Sequence, residues 1–185
     1  EFRRVLFRSD DAVVIECYVQ ATQSWWNDAI TVYAADPEGA YFIYNMTCSE
    51  ADAAKLTKGT KIKVTGFKGE FSGEIEVAKG ATFEIEEGSY IVEEATDVTA
   101  LLGTDDLASH MNQFVSFKGL TIEASKDADG NPVAFLYKYN GSGADGDDLY
   151  FNVNYNGTVY RFTVESYLCG ADTEVYKAVK SLKIG

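Results

Sequence analysis

Ser24-Trp25-Trp26-Asn27-Asp28 interrupts two alternating stretches, and its paired tryptophans are the residues of this chain with most to offer a ligand. Aromatic rings beside an amide and a carboxylate suit sugars, whose C–H faces stack on the rings while their hydroxyls meet groups such as Asn27 and Asp28. Nucleobases stack on such rings too, at roughly 1–3 kcal/mol each. The competing use is packing, because large aromatic side chains are mostly buried. Tyrosines in alternating stretches, Tyr33, Tyr41, Tyr44, Tyr137, Tyr139, Tyr150 and Tyr155, could form stacking ladders. Their ordinary role is cross-strand packing with the hydroxyl in water.

Nothing else gathers into a catalytic constellation. His110 is the only histidine, and neither a nucleophile–histidine pairing nor a zinc set can be assembled around it. Acids are too plentiful to single out a general acid and base, and the glycines never form a phosphate loop. Asp127-Ala128-Asp129-Gly130-Asn131 lacks the twelve-residue ligand pattern of a calcium hand, as does Asp145-Gly146-Asp147-Asp148; both read as turns. Cys17, Cys48 and Cys169 show no metal spacing and are expected to be reduced, buried and apolar in behaviour. The expectation is a non-catalytic chain with no cofactor and no metal.

The elements that position the tryptophans follow from composition and period. At 185 residues, 46% apolar and 14% aromatic, the chain can build a core without staples. Residues 1–9, EFRRVLFRS, back-translate into a short-read sequencing adapter and are set aside. They carry Glu1, Arg3, Arg4 and Arg8; what remains has 13 basic and 28 acidic residues, a net charge of −15, with Arg161 its one arginine. That balance argues against a nucleic-acid partner, whose affinity comes largely from phosphate neutralisation. No run approaches the length of a transmembrane helix. The Tyr, Asn, Gly and Thr content and acidic surface point weakly to an extracellular or cell-surface bacterial protein.

Between Leu56 and Gly88, Ile62/Val64, Ile75/Val77 and Phe83/Ile85 each alternate with charged or polar residues, and Gly59, Gly69, Gly73 and Gly80 fall where the runs stop. This is a meander with one wet face. Two earlier strands, split by the Asp36-Pro37-Glu38-Gly39 turn, precede a short helix capped by Ser49. Three strands, a helix and two strands, with the fourth opening on Gly59-Thr60-Lys61-Ile62-Lys63-Val64, resemble an oligonucleotide/oligosaccharide-binding (OB) fold as found in secreted bacterial proteins. The resemblance implies an all-β protein with short helices and a five-stranded barrel over residues 10–93. It also implies a ligand face on the second and third strands, bracketed by the loop after strand one (Trp25, Trp26, Asn27, Asp28) and the loop after strand four (Glu70, Phe71).

Residues 94–112 lose alternation and read as a linker with short helices. Beyond them, strand stretches ending at Ser166, with Asn156-Gly157 as a hairpin signal, lead to Cys169 and a helix over 172–182. Strands, cysteine, helix and glycine repeat the first half, so 113–185 is expected to be a second OB-like unit, truncated after its helix. The functional expectation is an extracellular binding module for a glycan or a protein partner. The alternatives are a nucleic-acid-binding module accessory to an extracellular nuclease, and a structural spacer.

Overall fold

The period-two pattern around Ile15, Cys17 and Val19 becomes the first strand of a barrel in a computed structural model that describes residues 11–185; the adapter-like residues 1–9 lie outside the described residues. In chain order the elements are β1 (Ala12–Thr22), β2 (Ala29–Ala35), β3 (Ala40–Thr47), the one-turn helix α1 (Glu50–Ala53), β4 (Thr60–Phe71), β5 (Glu74–Val77) and β6 (Thr82–Ser89). β1 serves two neighbours: its first part pairs with β4 and its last part with β2, all antiparallel. β5 and β6 are two arms of one strand, both antiparallel to β4 and separated by residues 78–81. A parallel Ile43–Val77 pair joins β3 to β5 and closes the order β1-β2-β3-β5-β4 into a ring. With α1 between β3 and β4, this is the five-stranded OB barrel that the element order implies.

Ile15, Cys17, Val32, Ile43, Ile62 and Val64 fill the barrel. Each buried aliphatic side chain contributes about 1.5–3 kcal/mol relative to exposure. Gly66 is required by close approach, since a Cβ there would lie 2.8 Å from that of Ala81 in the bulge between β5 and β6. Ser49 caps α1 by accepting from the Asp52 amide at 3.1 Å, and Leu56 just beyond the helix is buried. Gly69 does not end a strand as the sequence suggests; it lies inside β4, against Ala78 of the bulge.

The stretch read as a linker is shaped rather than extended. β7 (Thr96–Asp97) pairs in parallel with β8 (Val115–Ser116), two 3-10 turns lie between them, and Val98 and Leu102 are buried. The Sδ of Met111 accepts from the Ile75 amide at 3.2 Å and Asn112 donates to the Ile75 carbonyl at 3.1 Å. Residues up to Ser116 form one compact unit with the barrel.

The second unit, Phe117–Gly185, contains β9 (Thr121–Glu123), β10 (Ser125–Lys126), β11 (Pro132–Val133), β12 (Leu136–Tyr137), β13 (Leu149–Tyr155), β14 (Thr158–Val164) and α2 (Glu174–Lys180). β9 and β12 both pair with β13, and β13 pairs with β14 through a turn at Asn156 (φ 51°) and Gly157 (φ 86°). Those left-handed angles explain the Asn-Gly dipeptide. The alternating stretch Phe114–Ser125, in whose middle Gly119 suggests a bulge or bend, is two short strands, β8 and β9, with Gly119 between them at φ 67°. Leu149 and Val164 pack with the fully buried Tyr176 of α2. β13 thus carries β14 along one edge and β9 and β12 along the other, and α2 after them is capped by Thr173.

Candidate functional site

The tryptophan doublet lies three residues beyond the end of β1, where Trp26 opens the turn into β2, and its two side chains meet opposite surroundings. Trp25 turns inward, packs on the barrel core and donates from Nε1 to the Cys48 carbonyl at 2.8 Å. Trp26 turns outward and is 81% exposed. Of the two candidates, then, Trp25 is a wall residue and Trp26 alone meets solvent.

Trp26 is nevertheless rigidly held. Its amide and carbonyl exchange hydrogen bonds with those of Ala29 at 3.0 and 3.1 Å, and Asn27 and Asp28 between them have φ of 50° and 57°. That is a two-residue type I′ turn, whose twist matches that of the flanking strands. The Asp28 carbonyl also accepts from the Cys48 amide at 3.0 Å, tying the turn to the end of β3.

Next to the turn, the outer face of β2 and β3 carries a row of rings. Tyr33 and Phe42 are cross-strand partners with centroids 5.1 Å apart, and Phe42 stacks on Tyr44 at 6.3 Å. Gln23 donates to the Tyr33 hydroxyl, and Thr31 and Asn45 bond to each other beside the row. Tyr44 is 40% exposed, whereas Tyr41 faces the core and donates to Asp36. Alternation along β3 puts those two tyrosines, three residues apart, on opposite faces; the bulge at Tyr44–Asn45 shifts the phase only beyond them.

Glu70 and Phe71 do not join Trp26. Phe71 is 71% exposed beside another left-handed turn, at Ser72 and Gly73. Trp26 and Ala29 are level with Thr47, four residues beyond Ile43, while Phe71 and Glu74 lie three residues before Val77 on the parallel β5. At ~3.3 Å per residue the two turns stand about 23 Å apart along the strands, at opposite ends of the β3 face.

The electrostatics of this face are set by what its segment lacks. From Ser9 to Ala54, which spans β1, β2, β3 and their turns, there is no lysine, arginine or histidine. The lysines begin at Lys55, and Lys61 on β4 is held by Glu16 and Glu86, both at 2.9 Å. Two shallow grooves of about 490 Å³ lie elsewhere on the barrel, beside β6; one runs past Cys48, Asp52 and Lys55 of the α1 region.

The remaining candidates resolve into structure. Asp127 accepts from the amides of Asp129 and Asn131 at 3.0 and 2.8 Å, and the Asn131 bond leads in holding its carboxyl below the usual range; this is turn chemistry. His110 contacts Gln113 at 2.8 Å. The three cysteines are free, and burial, with Asp36 adding to it, pushes the Cys17 thiol up to about 12, where it is no nucleophile. Among the described residues no group of three or more His, Cys, Asp or Glu is arranged to hold a metal, and no helix is long and apolar enough to cross a membrane.

No protein-family model and no curated protein matches the chain. Among solved structures, the Ifi202 HINa domain in complex with 20-bp duplex DNA aligns over 83% of this chain and 77% of its own, at 13% identity and a TM-score of 0.41. Another aligns over 85% of this chain and 78% of its own, at 12% identity and the same TM-score of 0.41. Likeness of that order carries no argument about ligands.

Proposed function

We propose that this chain is a non-catalytic binding module that holds a neutral glycan across the outer face of β2 and β3, with Trp26 as its stacking platform. The observation that carries the reading is a single one: an almost fully exposed tryptophan fixed on a hydrogen-bonded turn, next to an aromatic row, in a segment without a cation. An exposed aromatic on a mobile loop costs ordering entropy when it binds. One on a fixed turn has only its own side-chain rotamers left to order. Sugar rings offer C–H faces to Trp26 and Tyr44 and hydroxyls to Asn27, Asp28 and Asn45, and they carry no charge that the missing lysines would have to neutralise. Extracellular or cell-surface display belongs to the same proposal, because free polysaccharide is met there.

A second reading has the fold class behind it: OB barrels present stacking faces to single-stranded nucleic acid, and bases stack on tryptophan. One titration separates the two. Tryptophan emission is followed while neutral oligosaccharides, and separately single-stranded DNA in low salt, are added to the wild type and to Trp26→Ala. The glycan reading expects saturable binding of a neutral oligosaccharide that Trp26→Ala abolishes. Tighter binding of DNA, lost in the same variant, would replace it with the nucleic-acid reading; binding of neither would overturn both.

A further inference from the structure

Arg161 is the only arginine among the described residues, and it is posed rather than free. It lies on the outward side of β14, opposite Asn152 of β13. Its guanidinium carbon sits 4.6 Å from the centre of the Tyr139 ring and 5.7 Å from that of Tyr150, and those two rings meet edge to face at 5.8 Å. Nε donates to the Asn152 side chain at 3.4 Å and Nη1 to the Tyr139 carbonyl at 3.3 Å. A guanidinium has five N–H donors; no other described residue accepts from this one. Tyr139, beyond the end of β12, is 68% exposed.

We propose that this outward face of β13 and β14 is a second ligand site, one that takes a carboxylate-bearing sugar, a uronic acid residue within a glycan. The planar fork of arginine matches a carboxylate in two-point contact, and lysine does not reproduce it. Stacking on Tyr139 and Tyr150 and the bond to Asn152 fix the plane of the fork, so little rotamer freedom remains to be lost on binding. The exposed Tyr139 ring gives the sugar a surface to lie on. Hydroxyl partners stand alongside: Thr163 is opposite Tyr150, and Asn154 donates to Glu123 of β9 at 3.2 Å, two residues further along the same side of β13.

The rest of the face decides between a uronate and a nucleic-acid phosphate. β13 and β14 contain one charged residue, Arg161, and their neighbour on β9 is an acid, Glu123. A polyanion with a charge on every unit needs several cations. A single carboxylate set among hydroxyls needs one.

The test is calorimetric titration of the full chain with an oligogalacturonide, its methyl ester and sodium sulfate. Binding of the oligogalacturonide is expected, with at least tenfold weaker binding of the methyl ester. Arg161→Lys, which keeps the charge and loses the fork, should weaken binding at least tenfold without lowering the melting temperature. Tyr139→Ala, at an exposed position, gives a second reading should Arg161→Lys disturb the fold, and Trp26→Ala should leave this binding unchanged. Equal affinity for acid and ester, an unaltered Arg161→Lys, displacement of the saccharide by equimolar sulfate, loss in Trp26→Ala, or no binding at all would each overturn the assignment.

Discussion

Replacing the two adjacent tryptophans one at a time should produce opposite phenotypes, because their side chains meet opposite surroundings. Trp25 loses an indole that packs on the barrel core and donates to the Cys48 carbonyl at 2.8 Å. Full truncation of a buried large aromatic costs about 3–5 kcal/mol. For the half-buried Trp25 about 2–3 kcal/mol is expected, including about 1 kcal/mol for the lost hydrogen bond. With about 2–4 °C per kcal/mol for a chain of this size, Trp25→Ala should melt roughly 5–10 °C lower. Trp26 makes its turn through backbone bonds that alanine also makes, so Trp26→Ala should stay within about 0.5 kcal/mol of the wild type. A ligand covering ~100 Å² of that ring would gain about 2.5 kcal/mol, roughly a 70-fold change in affinity. Trp25 packs on the core of the barrel unit, so its emission reports barrel unfolding in Trp26→Ala; in Trp25→Ala the remaining indole is already exposed, and circular dichroism follows the transition. Equal losses of stability in the two variants, or the larger loss in Trp26→Ala, would refute the assignment of inward and outward faces.

Three further outcomes follow from local geometry. The Glu16 carboxyl is held below its ordinary value first by its hydrogen bond to Lys61 and then by the attraction of that charge. A carboxyl depressed in the folded state stabilises above its unfolded value and stops doing so as pH falls through the folded one; the barrel should therefore lose melting temperature as the medium is acidified below about pH 4.5, and Glu16→Gln should flatten that slope. Tyr176→Phe strips the buried hydroxyl that donates to the Asp147 carbonyl at 2.6 Å and accepts from the Gly146 amide at 2.9 Å. The expected cost is about 1–3 kcal/mol, seen as faster amide exchange across α2; unchanged exchange would show that the hydroxyl does not anchor the helix. Asp28→Gly replaces a residue at φ 57° and creates an Asn-Gly pair, so it should raise the urea midpoint by the equivalent of about 0.5–1 kcal/mol, and a lowered midpoint would mean that the Asp28 side chain supports the turn.

Period and turn chemistry made the barrel legible. Ile62 and Val64 against Lys61 and Lys63 gave the inward side of β4, and Gly59 and Gly73 have the left-handed angles (93° and 90°) that end its neighbours. Gly69 misled because glycine serves close approach as well as turns, and only the packed bulge against β4 tells which. The aromatic row was half visible. Tyr33 and Tyr44 invite a ladder, and alternation puts Phe42 rather than Tyr41 on the Tyr44 side, but the cross-strand register that sets Tyr33 opposite Phe42 is not written in either strand alone. From Phe114 to Ser125 alternation suggests one strand bent at Gly119; the pattern does not show that its two pieces, β8 and β9, pair with different partners on either side of that glycine. Arg161 stood out by composition, yet its rings come from a turn and a different strand, contacts that no local spacing encodes.

Net charge is a blunt guide to ligand class, and the distribution of lysines sharpens it. A total of −13 only weakens attraction for polyanions everywhere at once. The interval from Ser9 to Ala54 does more: it leaves the three strands and turns that carry Trp26, Tyr33 and Tyr44 without any cation to neutralise a phosphate. Any DNA the barrel binds would be drawn instead to Lys55, Lys58 and Lys63 around α1 and β4, where the grooves beside β6 lie. Such binding should fall steeply with added salt and ignore Trp26→Ala. Glycan binding at the tryptophan turn should do the reverse, so salt and one substitution together report which face of the barrel is in use.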